Sequence, residues 1–542
     1  MSWTGWLIFI VIVQVIHFLG TWKLYIKAGR QAWEAAVPVY NAVVLMKIIN
    51  RPWWWTILLF IPIVNLIMFP VIWTETLRSF GKNSTTDTVL GILTFGLYIY
   101  YVNYTQDVNH IKDRSLIPRT SGGDWISSIL FAVVAATVVH TYVMQPFTIP
   151  TSSLEKTLLV GDFLFVSKFH YGARAPMTPI SFPMVHDTIP VLKSKSYLKN
   201  LQIPYFRLPG FQKIKRNDIV VFSWPPDTLT NITNPRSAVD IKPLDKKSNY
   251  VKRCVGLPGD SLEVRDGYVY INGKQNVLPG RTKLQFSYWV TYKSPQLRLS
   301  ENQLFELYGI TDGTVELNQE TSEYRIAAVT DEVANRLKNH PNVASIRKAT
   351  SPPGQMDIQR YYDENNNIVT NTKVIFPNSG LVQWNTDHMG PLYIPEAGKT
   401  VAITPESLPL YQRIIEVYEG SEIGIDNKIS QSGTQVLLNG SPIAEYTFKL
   451  DYYWMMGDNR NNSQDARMWG FVPFTHVVGK PVFVWMSWDT NAKGIMNKIR
   501  WDRMFTTVGG DDEPVSYFKF FLILVAGWYI FSYFRKKRKA KK

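Results

Sequence analysis

The sequence predicts a mainly β domain held between membrane helices, with several helices before it and one after it. Three observations predict this class. Apolar stretches of membrane length lie towards both ends of the 542-residue chain, at 125–144 and 515–534. Between them, short runs rich in Val, Ile, Phe and Tyr are bounded by Gly, Pro, Asn and Asp. Aromatic residues make up 14% of the chain, and many lie where apolar and polar stretches meet, as at a bilayer interface.

The first 124 residues contain further candidate membrane segments. We expect spans near 5–22, 53–73 and 88–104, followed by the anchor helix at 125–144. The second span contains Pro62 and Pro70, which membrane helices tolerate. The first lacks a basic start and a small-residue cleavage site, so it predicts an anchor and not a removable leader.

Charge placement predicts the orientation of the chain. The net charge is +15, and a basic tail at 535–542 follows the C-terminal apolar stretch. A second basic stretch, 107–124, precedes the anchor helix. The positive-inside rule places both in the cytoplasm and residues 145–514 outside the membrane. Basic residues beside apolar segments indicate contact with a lipid bilayer, and we predict no nucleic-acid partner.

Between the anchors the sequence predicts one β domain in two parts, a first part at 145–275 and a closing part at 452–514. The predicted strands are 163–168, 218–222, 250–255, 261–271 and 481–488. Asn272-Gly273 is typical of a type I′ hairpin turn. Residues 276–451 are interpreted as an elaboration of this domain, because strand-like runs resume on either side. Within it, DEVANRLKNHPNV predicts a soluble helix.

Cysteine and histidine usage excludes several kinds of site. Cys254 is the only cysteine, so no intrachain disulfide can form. A zinc site of the Cys/His type is excluded by the same count, and the eight histidines show no HExxH pair. These counts therefore predict neither of these two kinds of zinc site.

Several residues with small hydroxyl side chains follow Pro150 in the stretch 145–168, QPFTIPTSSLEKTLLVGDFLFVSK. Proline favours extended backbone around it, so the hydroxyls could line an extended peptide. A serine such as Ser153 needs a base to act as a nucleophile. The histidines outside the membrane have no acidic neighbour in a pattern that stands out. A hydroxyl-rich turn between helix and strand is the alternative interpretation.

Lysine is the other candidate base. In NYVKRCVGLPGD, strand alternation places Tyr250, Lys252 and Cys254 on one face. Lys252 would then lie between a ring and a thiol, a desolvated setting that favours the neutral amine. A lysine on an edge strand that points to solvent is the alternative.

A second lysine must be weighed, because Ser153-Leu154-Glu155-Lys156 spells S-x-x-K. This motif is typical of penicillin-binding proteins and class A β-lactamases. The companion motifs are missing: the chain contains no Ser-Asp-Asn, and its Gly-Lys-Thr at 398–400 is followed by valine.

A polar loop occupies 455–473, MMGDNRNNSQDARMWGFVP, between strand-like flanks. Such loops often tie a sheet together through hydrogen bonds from side chains to the backbone. The sharper hypothesis is that Ser463 and Asp465 orient the Lys252 amine, while arginines hold the acids by bidentate pairing.

Four segments together resemble the bacterial type I signal peptidases. They are QPFTIPTSSLEKTLLVGDFLFVSK, KIKRNDIVVFSWP, YVKRCVGLPGD and GDNRNNSQDARMWGFVP, in the order of that family. The N-terminal spans, the insertion and the C-terminal anchor lie outside the resemblance. It implies mostly antiparallel sheets and a membrane-bound serine endopeptidase that needs no cofactor.

The resemblance also implies roles for residues. Ser153 would be the nucleophile and Lys252 the base, with an oxyanion hole from the Ser153 amide and Thr151. The supporting polar set would be Ser463, Asp465, Arg467, Asp458 and Arg253. Pockets for small side chains would be lined by Ile149, Pro150, Leu154, Leu158, Tyr250 and Val251.

The implied substrates are secretory preproteins, cut after an Ala-x-Ala-like motif. The implied location is the bacterial cytoplasmic membrane, crossed several times, with the catalytic domain on the extracytoplasmic side. The lipid bilayer and the protein export machinery would be further partners.

Three positions depart from the family pattern. Ser152, Leu154 and Lys156 stand where the family commonly has glycine, methionine and proline. Ser152 leaves open which serine attacks, although the register with Pro150 and Thr157 favours Ser153. Two rival functions remain: a penicillin-binding type acyl-transferase that uses Lys156, and a non-enzymatic membrane scaffold with a protease-like β fold.

Overall fold

The structure, a computed structural model, describes residues 3–117, 120–226, 239–357, 359–362, 368–371, 375–490, 492 and 494–540. The chain divides into two compact units. The first consists of Met1–Val143, Ala173–Leu208 and Thr228–Lys247. The second consists of Met144–Gly172, Pro209–Asp227 and Ser248–Lys542. Each is described by itself.

The first unit is helical over its N-terminal part. Its helices are α1 (Trp3–Lys27), α2 (Tyr40–Ile48), α3 (Trp55–Leu59), α4 (Val64–Ser79), α5 (Thr85–Leu93), α6 (Tyr98–Thr105) and α7 (Ser121–Val138), which continues as a π-helical turn over Val139–Val143. Within the described residues, three helices are long and apolar enough to cross a membrane: Thr4–Lys27, Ser121–Val143 and, in the second unit, Phe518–Arg538. Membrane helices towards the N-terminus and one at the C-terminus were predicted, and this is confirmed.

Two of the expected spans differ from the prediction. The stretch 53–73 is divided between α3 and α4, and the stretch 88–104 between α5 and α6. Ile63 precedes α4 with φ 72°, and Phe95 and Gly96 separate α5 from α6 with φ 52° and 84°. Left-handed residues of this kind interrupt a helix. A prediction from hydropathy does not detect such breaks, because the residues that interrupt the helices are not polar.

Polar side chains bind the helices of the first unit together. Asn103 on α6 accepts a hydrogen bond from the Leu24 amide of α1 at 3.1 Å. Glu75 on α4 is buried and pairs with Arg51 at 2.8 Å and with Arg114 at 2.6 Å. The apolar core of these helices contains residues of α1, α2, α4 and α6, Tyr25 of α1 among them.

The second unit contains the strands and the remaining helices. The strands are β1 (Met144–Thr148), β2 (Asp162–Ser167), β3 (Ile219–Ser223), β4 (Asn249–Gly256), β5 (Ser261–Arg265), β6 (Tyr268–Ile271), β7 (Lys274–Gln275), β8 (Phe286–Tyr292), β9 (Thr314–Asn318), β10 (Glu323–Val329), β11 (Val343–Lys348), β12 (Gln359–Tyr362), β13 (Ile368–Asn371), β14 (Met389–Tyr393), β15 (Thr400–Ala402), β16 (Ile429–Ser432), β17 (Gln435–Leu438), β18 (Ser441–Ile443), β19 (Glu445–Thr447), β20 (Tyr452–Met456), β21 (Val472–Pro473), β22 (Val477–Ser487) and β23 (Thr506–Thr507). The helices are α8 (Glu301–Tyr308), α9 (Asp331–Lys338), α10 (Leu408–Arg413), α11 (Ala466–Trp469), α12 (Ile495–Lys498) and α13 (Phe518–Ala540).

One large sheet joins strands that are far apart in sequence. Its order is β1-β2-β22-β3-β4-β20-β21, with β23 paired to β22. Among the described residues the paired strands run antiparallel, which confirms the predicted fold class. The register places Val220 of β3 opposite Lys252 of β4, and Met456 of β20 opposite Arg253. Central strand β4 is thus covered on both edges.

The second unit also contains smaller sheets, and most of their strands belong to the elaboration. Strands β11-β8-β10-β9 form a four-stranded sheet that packs with α8 and α9 around a separate apolar core. Strands β14-β5-β6-β7 form another, in which Asn272 and Gly273 make the turn between β6 and β7 with φ 52° and 79°. Positive φ at both turn residues is the type I′ requirement, so the predicted hairpin is confirmed. The predicted soluble helix is α9.

Candidate active site

Ser153 lies in a short turn that begins just after β1. Thr151 is extended, with φ −130° and ψ 153°, and Ser152–Leu154 form one turn of 3-10 helix. The backbone of Ile149 is held on both sides, donating to Asp162 and accepting from Gly161 at 2.9 Å each. Residues 151–158 are called the serine turn below. Within it the Ser153 side chain is 8% exposed and Thr151 is exposed.

Lys252 lies in the middle of strand β4, between β3 and β20. Its side chain is 3% exposed, and its ammonium lies 5.8 Å from the centre of the Tyr250 ring. Burial lowers the pKa of Lys252 to about 8, against the attraction of Asp465, which favours the charged form. A lysine that points to solvent from an edge strand, the alternative considered above, is excluded by this placement.

Within the polar stretch 455–473, residues 457–467 follow β20 as a loop, called the polar loop from here on, which contacts the serine turn. The Asn459 amide donates to the Ser153 carbonyl at 3.1 Å. The Asn459 side chain donates to the Ser152 carbonyl at 3.3 Å, and Asn462 donates to the Ser152 hydroxyl at 3.0 Å. The polar loop thus holds the Ser152 hydroxyl and the carbonyls of Ser152 and Ser153.

Asp458 joins the serine turn to the lysine strand. It accepts two hydrogen bonds of 2.7 Å from the guanidinium of Arg253, the neighbour of Lys252. It also accepts one of 2.7 Å from the Thr157 hydroxyl. The Arg253 and Asp458 side chains are 3% and 1% exposed. One buried carboxylate therefore connects the segments that carry Ser153 and Lys252.

Asp465 and Arg467 close the polar loop on itself. Two bonds of 2.9 and 2.8 Å join the Arg467 guanidinium to the Asp465 carboxylate, and both side chains are buried. Asp465 also accepts from the Gly457 amide at 3.0 Å. Burial would raise the pKa of Asp465, but the charge and hydrogen bonds of Arg467 outweigh it and lower that pKa. Asp465 therefore stays ionised, and its negative charge favours the protonated form of the Lys252 amine.

Ser463 is buried, and its hydroxyl has no hydrogen-bond partner among the described residues. It lies against Gly457, where an added Cβ would collide with the Ser463 side chain and with the Ser153 carbonyl. The polar loop thus places the Ser463 hydroxyl beside the serine turn with its bonding capacity unused. Unsatisfied buried hydroxyls are uncommon in folded proteins and call for an explanation.

The six residues assigned to substrate pockets do not all lie together. Four share one apolar cluster: Ile149, Leu154, Leu158 and Val251. Tyr250 belongs to the cluster on the other side of β4, where its ring stacks on Trp224 at 5.1 Å. Pro150 is exposed.

Several contacts at the site had no specific signal in the sequence. Asn459, Asn462 and Gly457 lay inside a recognised polar loop, but the side chains of Asn459 and Asn462 bond to Ser152 across 307 and 310 positions. Lys156 adopts φ 67° and donates to the Gly309 carbonyl at 2.6 Å, a contact with the elaboration. Among the described residues, no group of three or more His, Cys, Asp or Glu is arranged to hold a metal ion.

Comparison with known proteins identifies the family. The model of the signal peptidase family, peptidase S26, matches residues 123–307 and 403–488, half of the chain. This chain belongs to that family. The predicted resemblance is confirmed, and so is the prediction of a serine peptidase in a membrane-bound chain. The family match leaves 308–402 uncovered, and residues 33–113 match a family of unknown function, DUF5684.

Three relatives of known name match this chain, two of them over most of its length. Signal peptidase I of Buchnera aphidicola subsp. Acyrthosiphon pisum (strain APS) is 25% identical over 381 residues, which cover 70% of this chain and 80% of the relative. Signal peptidase I of Haemophilus influenzae is 23% identical over 399 residues, 72% of this chain and 77% of the relative. Signal peptidase I of Rickettsia massiliae is 29% identical over 162 residues, 30% of this chain and 47% of the relative.

Proposed function

We propose that this signal peptidase uses Ser153 as nucleophile and Lys252 as general base to remove N-terminal signal peptides from exported preproteins. The observation that carries the proposal is the state of Lys252. Its amine is buried, its pKa is lowered to about 8, and its strand is joined to the serine turn through Asp458. A neutral amine is the form that can accept a proton from a serine.

The reaction follows from these assignments. The Lys252 amine takes the proton from the Ser153 hydroxyl, whose oxygen attacks the scissile carbonyl carbon. The oxyanion is held by the Ser153 amide and the Thr151 hydroxyl. The C–N bond then breaks, and Lys252 gives its proton to the leaving amine. A water molecule activated by Lys252 hydrolyses the resulting ester and restores Ser153.

The polar loop has a supporting part in this proposal. Ser463, whose hydroxyl has no hydrogen-bond partner among the described residues of the free enzyme, would hydrogen-bond the Lys252 amine once substrate is bound and hold it towards Ser153. Asp465 is kept ionised by Arg467, and Asp458 is kept in place by Arg253. These buried pairs fix the loop without touching the substrate.

The apolar cluster of Ile149, Leu154, Leu158 and Val251 supports selection of small side chains before the cut, in the Ala-x-Ala manner. Leucine stands at 154 where the family commonly has methionine, a swap that conserves volume. Tyr250 and the exposed Pro150 would border this pocket from outside the cluster.

The membrane helices give the proposal its location. We place the catalytic unit on the extracytoplasmic side of a bacterial cytoplasmic membrane, because the basic tail follows the helix Phe518–Arg538. Signal peptides are themselves membrane-embedded, so anchoring raises the effective concentration of the site for them. The protein export machinery that delivers preproteins is the further partner we propose.

Mutants of the full-length protein, assayed on a model preprotein, test the assignment. We expect Ser153→Ala and Lys252→Met to lower kcat by about a thousandfold or more, since each removes half of the reacting pair. Lys252→Met keeps an apolar chain of similar length, so folding is preserved. Ser152→Ala and Lys156→Ala are the matched controls, and we expect each to stay within about tenfold of wild type.

The rival functions predict other outcomes. A penicillin-binding type enzyme would lose activity on Lys156→Ala and would take a β-lactam label on Ser153 that survives Lys252→Met. A non-enzymatic scaffold would leave the preprotein uncut in every variant, wild type included. The Lys156 ammonium is bonded to the Gly309 carbonyl at 2.6 Å, which argues against its use as a base.

A further inference from the structure

A loop of the elaboration touches the serine turn in a region that the family model does not match. The loop comprises residues 309–313 and follows α8, whereas the match ends at residue 307. Gly309 ends α8 in the left-handed conformation, with φ 64°. Its carbonyl accepts the bond from Lys156, which stands three positions after Ser153. The 309–313 loop therefore lies beside the proposed nucleophile.

A second contact links a carboxylate of this loop to the residue before Ser153. The side-chain nitrogen of Asn462 donates to the Asp312 carboxylate at 3.1 Å. The same nitrogen donates to the Ser152 hydroxyl at 3.0 Å. One amide group thus links Asp312 to the residue that precedes Ser153.

The electrostatics of the turn agree with this placement. Burial raises the pKa of Glu155, and the negative charge of Asp312 adds to that rise, while Lys156 and Arg500 oppose it. Glu155 is 7% exposed and lies within the fold. Asp312 is half-buried, and Asn462 beside it is exposed. Of these two carboxylates, Asp312 is the one that a bound peptide can meet.

The position of Asp312 indicates which part of a substrate it would contact. The residues that support binding before the cut are apolar and share one cluster around Ile149, Leu154 and Val251. The 309–313 loop is outside that cluster and approaches Ser153 through Ser152 and Lys156. Since the proposed pockets before the cut are formed elsewhere, this loop is assigned to the peptide beyond the scissile bond.

We propose that Asp312 determines specificity for the first positions of the mature protein, favouring basic side chains there and disfavouring acidic ones. This inference rests on the proposed function. The attraction is that of a half-exposed ion pair, and the nearby Lys156 charge offsets part of it. The expected preference is therefore modest, about fivefold in kcat/KM.

Three preproteins that differ only at the second residue after the cut, Lys, Ala or Glu, provide the test. The full-length wild type is compared with Asp312→Asn, Asp312→Lys and Glu320→Gln. Asparagine at 312 can still accept the Asn462 hydrogen bond, so this variant removes the charge and keeps the contact. Glu320 is an exposed carboxylate of the elaboration, two residues after the end of β9. It serves as the matched control.

We expect Asp312→Asn to lower the ratio of kcat/KM for the Lys and Glu substrates by about fivefold, and Asp312→Lys to reverse the preference. Glu320→Gln should leave the ratio unchanged, and added salt should reduce it in the wild type. An equal ratio in wild type and Asp312→Asn, or an equal loss on all three substrates, overturns the proposal. Failure of the proposed function is seen separately, as cleavage of the Ala substrate by Ser153→Ala.

Discussion

Arg253 and Asp458 form a buried, two-bond ion pair whose carboxylate also accepts the Thr157 hydroxyl. The pair stands between the serine turn and the strand that carries Lys252. Removal of Asp458 would leave the Arg253 charge buried without its partner, and it would release Thr157 of the serine turn at the same time. Stability and activity are therefore coupled through Asp458.

Asp458→Asn should lower the free energy of unfolding by about 3–5 kcal/mol, because the Arg253 charge loses its partner in a buried setting. Denaturant unfolding of the detergent-solubilised protein measures this. Glu323→Gln breaks the Arg347–Glu323 pair, in which Arg347 is 58% exposed, and should cost less than about 1 kcal/mol. Equal losses in the two variants would contradict the buried-pair account.

The pH dependence of the reaction should follow Lys252. Only the neutral amine can accept a proton, and the pKa is lowered to about 8. We therefore expect kcat/KM to rise about tenfold per pH unit below pH 8 and to level off above it. A profile that is flat between pH 6 and 9 would rule out Lys252 as the base.

The free energy of unfolding should also depend on pH through Lys252, and the direction follows from its lowered pKa. The pKa of Lys252 falls from an ordinary 10.5 to about 8 on folding, so the unfolded chain binds more protons between these values. The contribution of Lys252 to stability accordingly increases as pH rises from 8 to 10.5. Lys252→Met should remove this slope, which a comparison of unfolding at pH 7 and pH 10 would reveal.

Ser463→Ala should separate activity from stability. The Ser463 hydroxyl makes no hydrogen bond among the described residues, so its loss should change the free energy of unfolding by less than about 0.5 kcal/mol, while kcat falls. Ser487→Ala is the opposite case, since that buried hydroxyl donates to Asp162 at 2.6 Å. It should lower stability by about 1.5–3 kcal/mol and leave kcat nearly unchanged.

Gly457→Ala should abolish activity, because its Cβ would meet the Ser463 side chain and the Ser153 carbonyl. Both are groups that the proposed mechanism needs in place. Gly380→Ala is the matched substitution, at a glycine with open space around it. Preprotein cleavage by the two variants measures the difference, and an active Gly457→Ala would show that the serine turn can move without loss.

Much of this site could be predicted from sequence because its chemistry is local. Proline and hydroxyl crowding marked the serine turn, and strand alternation placed Lys252 in a desolvated position beside Tyr250. The acids and arginines of the polar loop were recognisable as a group. Each signal lies within a dozen residues, where propensity and periodicity operate.

The remaining features depend on contacts between distant segments. The breaks at Ile63 and Phe95 come from left-handed backbone conformations, which the identity of these apolar residues does not predict. The bond from Lys156 to Gly309 joins the serine turn to the elaboration across 153 positions, and the bond from Asn462 to Asp312 joins the polar loop to it across 150. Periodicity carries no information on pairings of that length, so the role of Asp312 could be inferred only from the fold.

The order of synthesis gives the Asp458 junction a further meaning. Thr157 leaves the ribosome early, Arg253 follows, and the carboxylate that binds both arrives 301 residues after the first and 205 after the second. A nascent chain therefore lacks this support for its serine turn until Asp458 has been synthesised. If Ser153 is the nucleophile, as proposed, the enzyme gains its activity only after that point.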